Sequence, residues 1–198
     1  MKNRKFLIVL ILVFVLLLAG AYVLYERLGA SVEAEQIVVH STPQPAEANA
    51  DEAEEVEPEE ILAPDFTVYD KDGNAVRLSD FFGKPIVLNF WASWCGPCQY
   101  EMPDFDEKYK ELGNDVNFVM INMTDGQRET VETASSFIEE KGYSFPVYYD
   151  TNSEAALTYG AYSLPTSFFI DAEGHVIAQA VGAIDGATLQ KGIDAISG

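Results

Sequence analysis

The sequence predicts an α/β fold in which a mixed sheet is covered by helices on both faces. Three observations predict it. Two short apolar runs, residues 85–91 and 116–123, have the length and composition of buried central strands. Stretches with helical character lie between and after them, at 97–112, 130–141, 153–159 and 185–196. Two more strand patterns, at 167–170 and 176–181, are adjacent late in the chain, so the order reads β-α-β-α-β-α-β-β-α.

The chain divides into three regions of different charge character. It has 198 residues, with 32 Asp and Glu against 12 Lys and Arg, a net charge of −20. That balance argues against a nucleic-acid partner, because phosphate binding needs clustered Lys and Arg to release counterions. Residues 1–28 hold Lys2, Arg4 and Lys5 ahead of 20 uncharged, nearly all apolar residues, 6–25. As a helix that run is about 30 Å long, the thickness of a bilayer core. Positive residues stay inside, which predicts a single-pass anchor in the cell membrane with a cytoplasmic N-terminus and an extracytoplasmic domain. A cleaved signal peptide competes, since Ala19-Gly20-Ala21 fits a small-x-small cleavage pattern; the apolar run continues past that cut to Tyr25. Residues 29–60 hold ten acidic residues, three prolines and no Lys, Arg or aromatic residue, which reads as a disordered linker. Residues 61–198 carry 21 acidic and 8 basic side chains and are long enough for one domain with a real core.

Within that domain each element has a local reason. Residues 65–69 and 75–78 flank Asp70-Lys71-Asp72-Gly73-Asn74 and read as a hairpin. The turn is no calcium loop, because its glycine is fourth and the terminal glutamate is missing. Residues 85–91 follow as a buried strand, then a helix over 97–112 with Pro103 as an expected kink. After the strand at 116–123, Val131, Ala134, Phe137 and Ile138 keep helical spacing, and Gly142 stands where a C-cap glycine belongs. Residues 147–149 suit a short edge strand. The strands at 167–170 and 176–181 flank the turn 171–174, and an amphipathic helix over 185–196 closes the chain.

The chemistry concentrates in Trp94-Cys95-Gly96-Pro97-Cys98, between a central strand and a helix. Spacing i, i+3 puts both sulfurs on one face of the first helical turn, within bridging reach. A helix N-terminus presents unpaired N–H groups and partial positive charge, which favour thiolate over thiol. Pro97 suits a first-turn position, where its missing N–H costs nothing. Cys95 is therefore the expected nucleophile, exposed, and Cys98 the resolving thiol one turn deeper. A purely structural bridge over so short a loop would contribute only about 2 kcal/mol. A metal site would need two more ligands, and neither His40 nor His175 has the spacing. The expectation is redox chemistry by two sulfurs, with no metal and no cofactor. Asn122-Met123-Thr124 fits a glycosylation sequon but ends a buried strand, so it is discounted.

Phe90 to Cys98 resembles the active-site signature of thioredoxin-fold proteins, and Leu164-Pro165-Thr166 resembles that family's cis-proline loop. Asn89 to Cys98 followed by Glu101-Met102-Pro103, with the N-terminal hairpin and an insertion near 127–149, is similar to the membrane-anchored ResA/TlpA-type thiol–disulfide oxidoreductases. The resemblance covers about 61–198. It implies a thioredoxin-like fold, a redox-active Cys95–Cys98 disulfide, and substrate binding by Trp94, Gly96, Pro97, Leu164, Pro165 and Thr166. It also implies reduction of disulfides in exported proteins, with apocytochrome c as the substrate class, and a membrane thiol reductase as electron donor. Thioredoxin has a buried Asp where this chain has Asn89, which cannot titrate. Glu101 matches a glutamate that ResA-like proteins place near their cysteines. Two readings of it stand: a proton acceptor beside the thiols, or a solvated residue in the first turns of a helix. Two further functions compete, a disulfide-forming oxidase and a non-catalytic module that holds metal or a haem precursor. A peroxidase of the related fold would want Pro and Thr or Ser where Leu88 and Ala92 stand.

Overall fold

A computed structural model describes the backbone of residues 37–39 and residues 61–198. Among the described residues eight strands form one mixed sheet. They are β1 (Ile37–Val39), β2 (Thr67–Tyr69), β3 (Ala75–Arg77), β4 (Ile86–Trp91), β5 (Asn117–Asn122), β6 (Val147–Tyr149), β7 (Thr166–Ile170) and β8 (Val176–Val181). Their spatial order is β1-β8-β7-β4-β5-β6-β2-β3. The helices are α1 (Gly96–Leu112), α2 (Val131–Lys141), α3 (Glu154–Tyr159) and α4 (Gly186–Ile196). No helix among the described residues is long and apolar enough to cross a membrane, and the run expected to do so, 6–25, lies outside them.

The strand β4 sits at the centre, parallel to β5 and antiparallel to β7. All six of its residues are buried. A strand sends alternate side chains to opposite faces. Val87 and Trp91 accordingly join one core with Met102 and Phe105 of α1 and Leu189 and Ile193 of α4. Ile86, Leu88 and Phe90 join the other, with Phe66 and Val68 near the hairpin and Ala155 and Tyr159 of α3. Asn89 shares the parity of Val87 and Trp91, so this polar side chain faces α1.

Local chemistry explains the ends of the elements. Thr130 caps α2 by accepting the Thr133 N–H at 3.2 Å, and Gly142 ends it at φ 71°. Asp185 caps α4 through the Thr188 N–H at 2.8 Å. In the β2–β3 turn, Asp70 accepts the Asp72 and Asn74 N–H groups, each at 2.9 Å. The helix α1 runs unbroken through Pro103.

Two expectations need correction. The strand β6 is interior: it pairs with β5 on one side and, through Tyr69 and Tyr149, with β2 on the other. The hairpin had supplied an extra sheet edge, so a strand that looks terminal by length is covered. Within the segment read as a linker, Ile37–Val39 pairs antiparallel with Ala178 to Ala180 of β8. Those three residues are the one apolar cluster of that acidic stretch. The rest of that segment lies outside the described residues.

Candidate active site

The site forms where β4 hands over to α1. Trp91 ends the strand, Cys95 is the N-cap, and Gly96 opens the helix. The Cys98 N–H donates to Cys95 Sγ at 3.2 Å. This is one of the unpaired donors of a helix start, aimed at the sulfur that would carry negative charge after reduction. Cys95 and Cys98 are joined in a disulfide, with Cα atoms 5.3 Å apart. Cys95 is 5% exposed and Cys98 is fully buried. The ranking of the two sulfurs is as expected, but Cys95 in the disulfide state is far less open than the sequence suggested.

A groove of about 680 Å³ runs beside Cys95. Trp94, Gly96, Pro97 and Leu164 line it, together with Arg128 and Tyr162 among others. Cys98 does not reach it. Trp94 is 42% exposed, and the Arg128 guanidinium lies 3.6 Å over its ring. The Leu164–Pro165 peptide bond is cis. Leu164 faces the groove, while Pro165 and Thr166 are buried behind it. Thr166 donates its hydroxyl to the Ser163 carbonyl at 2.6 Å.

Glu101 is 1% exposed, not solvated. It lies on α1 one turn beyond Cys98. Its Oε1 accepts from Asn89 Nδ2 at 2.8 Å and its Oε2 from the Ile184 N–H at 3.0 Å. Asn89 also donates to Ser167 Oγ at 2.9 Å, its register partner across β4 and β7. Burial pushes the Glu101 carboxyl up to about 7, and the nearby Asp104 charge adds to that; the Ile184 and Asn89 donors hold it down in part. Asn89 Oδ1 is buried and has no partner among the described residues. Rotating that amide by half a turn would let Oδ1 accept the O–H of a neutral Glu101. One asparagine thus serves both protonation states of the carboxyl. Where Asn89 cannot titrate, the carboxyl it touches can, and burial raises that carboxyl toward neutrality.

Glu129 escaped the sequence reading altogether. It is fully buried, and it accepts from the Ser93 N–H at 2.8 Å, Ser93 Oγ at 2.7 Å and Asn122 Nδ2 at 2.7 Å. A signal existed. Asn89 and Asn122 are polar side chains in otherwise apolar buried strands, and a buried amide requires a partner. The sequence could not say which acid supplies it. The discounted sequon is closed for the same reason: Asn122 is fully buried with its amide engaged.

The model of the AhpC/TSA family matches residues 61–179. Thiol-disulfide oxidoreductase ResA of Bacillus thuringiensis subsp. konkukian is 42% identical over 123 residues, 61% of this chain and 68% of that protein. The ResA of Geobacillus kaustophilus is 34% identical over 137 residues, 68% of this chain and 75% of that one. Among solved structures, a putative thiol:disulfide interchange protein DsbE from Chlorobium tepidum is similar with a TM-score of 0.63 and 33% identity. It covers 70% of this chain and 96% of its own.

Proposed function

This chain belongs to the AhpC/TSA family and is a thiol–disulfide oxidoreductase, and from that premise we propose that it is exported, tethered to the membrane, and reduces disulfides in exported proteins. The substrate class we favour is apocytochrome c before haem attachment. The single observation that carries the exchange chemistry of this reading is the placement of Cys95: a helix N-cap sulfur at the wall of an apolar groove, with Cys98 buried behind it. The charge pattern of residues 1–28 supports the tether, and Gly96-Pro97 between the cysteines supports the reducing direction by likeness to thioredoxin.

The reduced site begins with two thiols. Cys95 loses its proton first, because the Cys98 N–H and the start of α1 stabilise its thiolate. That thiolate attacks one sulfur of the substrate disulfide. A Cys95–substrate bond forms, the substrate S–S bond breaks, and the departing sulfur takes up a proton. Cys98 then gives its proton to the Glu101 carboxylate and attacks Cys95 Sγ. The mixed disulfide breaks, and the second substrate sulfur leaves as thiolate and is protonated. Two electrons and two protons have moved to substrate, and Cys95–Cys98 is oxidised. A membrane thiol reductase must return both. A carboxyl poised near 7 suits this step, since it can accept a proton near neutral pH and release it afterwards. Trp94, Gly96, Pro97 and Leu164 supply the surface that holds the substrate chain; Pro165 supports it from behind.

Trapping tests the order of events. Cys98→Ser leaves the first attack intact and removes the second, so a mixed disulfide with the exported partner accumulates on Cys95. Cys95→Ser abolishes exchange. A Cys98→Ser chain that traps no partner, while Cys95 still reacts with alkylating reagents, would contradict the resolving role of Cys98.

A further inference from the structure

A second buried carboxylate stands behind the active-site loop. Glu129 contributes no side chain to the groove and is fully buried, yet three donors converge on it. Two belong to Ser93, the residue two before the nucleophile: its N–H at 2.8 Å and its hydroxyl at 2.7 Å. The third is Asn122 at the end of β5, at 2.7 Å. Burying a carboxylate is costly unless its oxygens are hydrogen-bonded, and here three donors satisfy them. What the carboxylate adds is direction: it fixes the Ser93 backbone to the end of the neighbouring strand.

The turn that carries Glu129 is itself tightly held. Asp125 Oδ1 accepts the N–H groups of Gln127, Arg128 and Glu129 at 2.8, 2.7 and 2.9 Å. The Gly126 N–H donates back to the Glu129 carbonyl at 2.9 Å. From this turn Arg128 extends over Trp94 at 3.6 Å. Ser93 and Trp94 are thus gripped by consecutive residues of one turn. The Cys95 N–H closes the same loop on the Ala92 carbonyl at 3.1 Å.

We propose that Glu129 is a positioning residue, which through Ser93, and with Arg128 on Trp94, sets the direction in which the loop 92–95 presents Cys95 to the groove. The proposal rests on the oxidoreductase reading of the same site. Glu129 touches neither substrate nor sulfur in this scheme.

The test uses the full chain and four readouts: the rate of reduction of a small aromatic disulfide, the pH midpoint of Cys95 alkylation, tryptophan emission, and thermal melting. Glu129→Gln can keep the geometry. Its amide oxygen accepts from the Ser93 N–H and Asn122, and its amide nitrogen donates to Ser93 Oγ. It is expected within about twofold of the wild-type rate, with an unchanged alkylation midpoint. Glu129→Ala frees the loop and is expected to slow the reaction about tenfold, with emission shifted to the red as Trp94 loosens. Ser93→Ala loses one of the two bonds and falls between them; it carries the test if the alanine variant at 129 does not fold. A folded Glu129→Ala or Ser93→Ala at the wild-type rate would overturn the proposal. So would a Glu129→Gln as slow as the alanine variant with a shifted alkylation midpoint, since charge rather than direction would then be at work. The two failures separate cleanly. A wild-type chain that cannot reduce the disulfide defeats the oxidoreductase reading, while alkylation and emission still report the loop.

Discussion

Replacing Glu101 by glutamine should make the folded chain more stable at neutral and alkaline pH, and the gain should vanish in acid. In the fold this carboxyl titrates at about 7, against 4.5 for the free group. The folded state therefore keeps the proton between those values while the unfolded chain releases it. Unfolding stability must fall as pH rises through that window, by about 1.4 kcal/mol per pH unit. Over the roughly 2.5 units involved the total is about 3 kcal/mol, complete once the pH passes about 7. Glutamine mimics the neutral carboxyl. Its amide nitrogen can donate to Asn89 Oδ1 after the half-turn, and its oxygen keeps the Ile184 N–H. Urea unfolding of the oxidised wild type and variant from pH 4 to pH 8.5 isolates this group, because other titrations cancel in the difference. The difference should be smallest below pH 4.5 and should grow to about 3 kcal/mol in favour of glutamine by pH 8. A difference that stays flat across the window, or that grows with acid, would refute the buried, proton-retaining Glu101.

Other consequences are as direct. The same Glu101→Gln variant should slow the second exchange step, so that the mixed disulfide on Cys95 persists near neutral pH; rapid-quench thiol trapping reads this, and unchanged lifetimes would remove Glu101 from the proton path. Gly192→Ala should destabilise by about 2 kcal/mol, because a Cβ there would come within 2.5 Å of three Phe169 ring carbons, and overpacking outweighs the helix-propensity gain. A urea midpoint that rises instead would mean that α4 does not pack on β7 this closely. Asp185→Ala removes the cap of α4 and should cost about 1 kcal/mol while leaving disulfide reduction unchanged.

The parts of this account that were legible in the sequence are those governed by neighbours along the chain. The short apolar run 85–91 announced β4, and Cys-x-x-Cys after it announced the helix start. Helical spacing from Val131 onward and the C-cap Gly142 marked α2. What escaped depends on residues far apart in sequence. Whether Glu101 is solvated or buried is decided by Ile184, 83 positions away, and by Asn89 on a strand that faces α1. Spacing placed Glu101 near Cys98 but said nothing of the roof above it. Glu129 was hidden similarly: its partners Ser93 and Asn122 lie at the exits of two different parallel strands, and the turn 125–129 that carries it has no periodicity to read. The interior place of β6 follows from a hairpin that folds back from 80 residues earlier, seen in the Tyr69–Tyr149 pairing. Asn89 and Asn122 were the clue available in advance, as polar residues that an apolar strand does not otherwise accommodate.

The central claim is that Cys95 and Cys98 give electrons to exported disulfides. The reduction potential of the Cys95–Cys98 couple in the full chain, set by equilibration against defined thiol–disulfide buffers, tests it most directly. A reductase of this design should sit near or below about −270 mV, the poise of thioredoxin. A value near about −120 mV, where a disulfide donor operates, would contradict the account and reverse the direction of electron flow through the site.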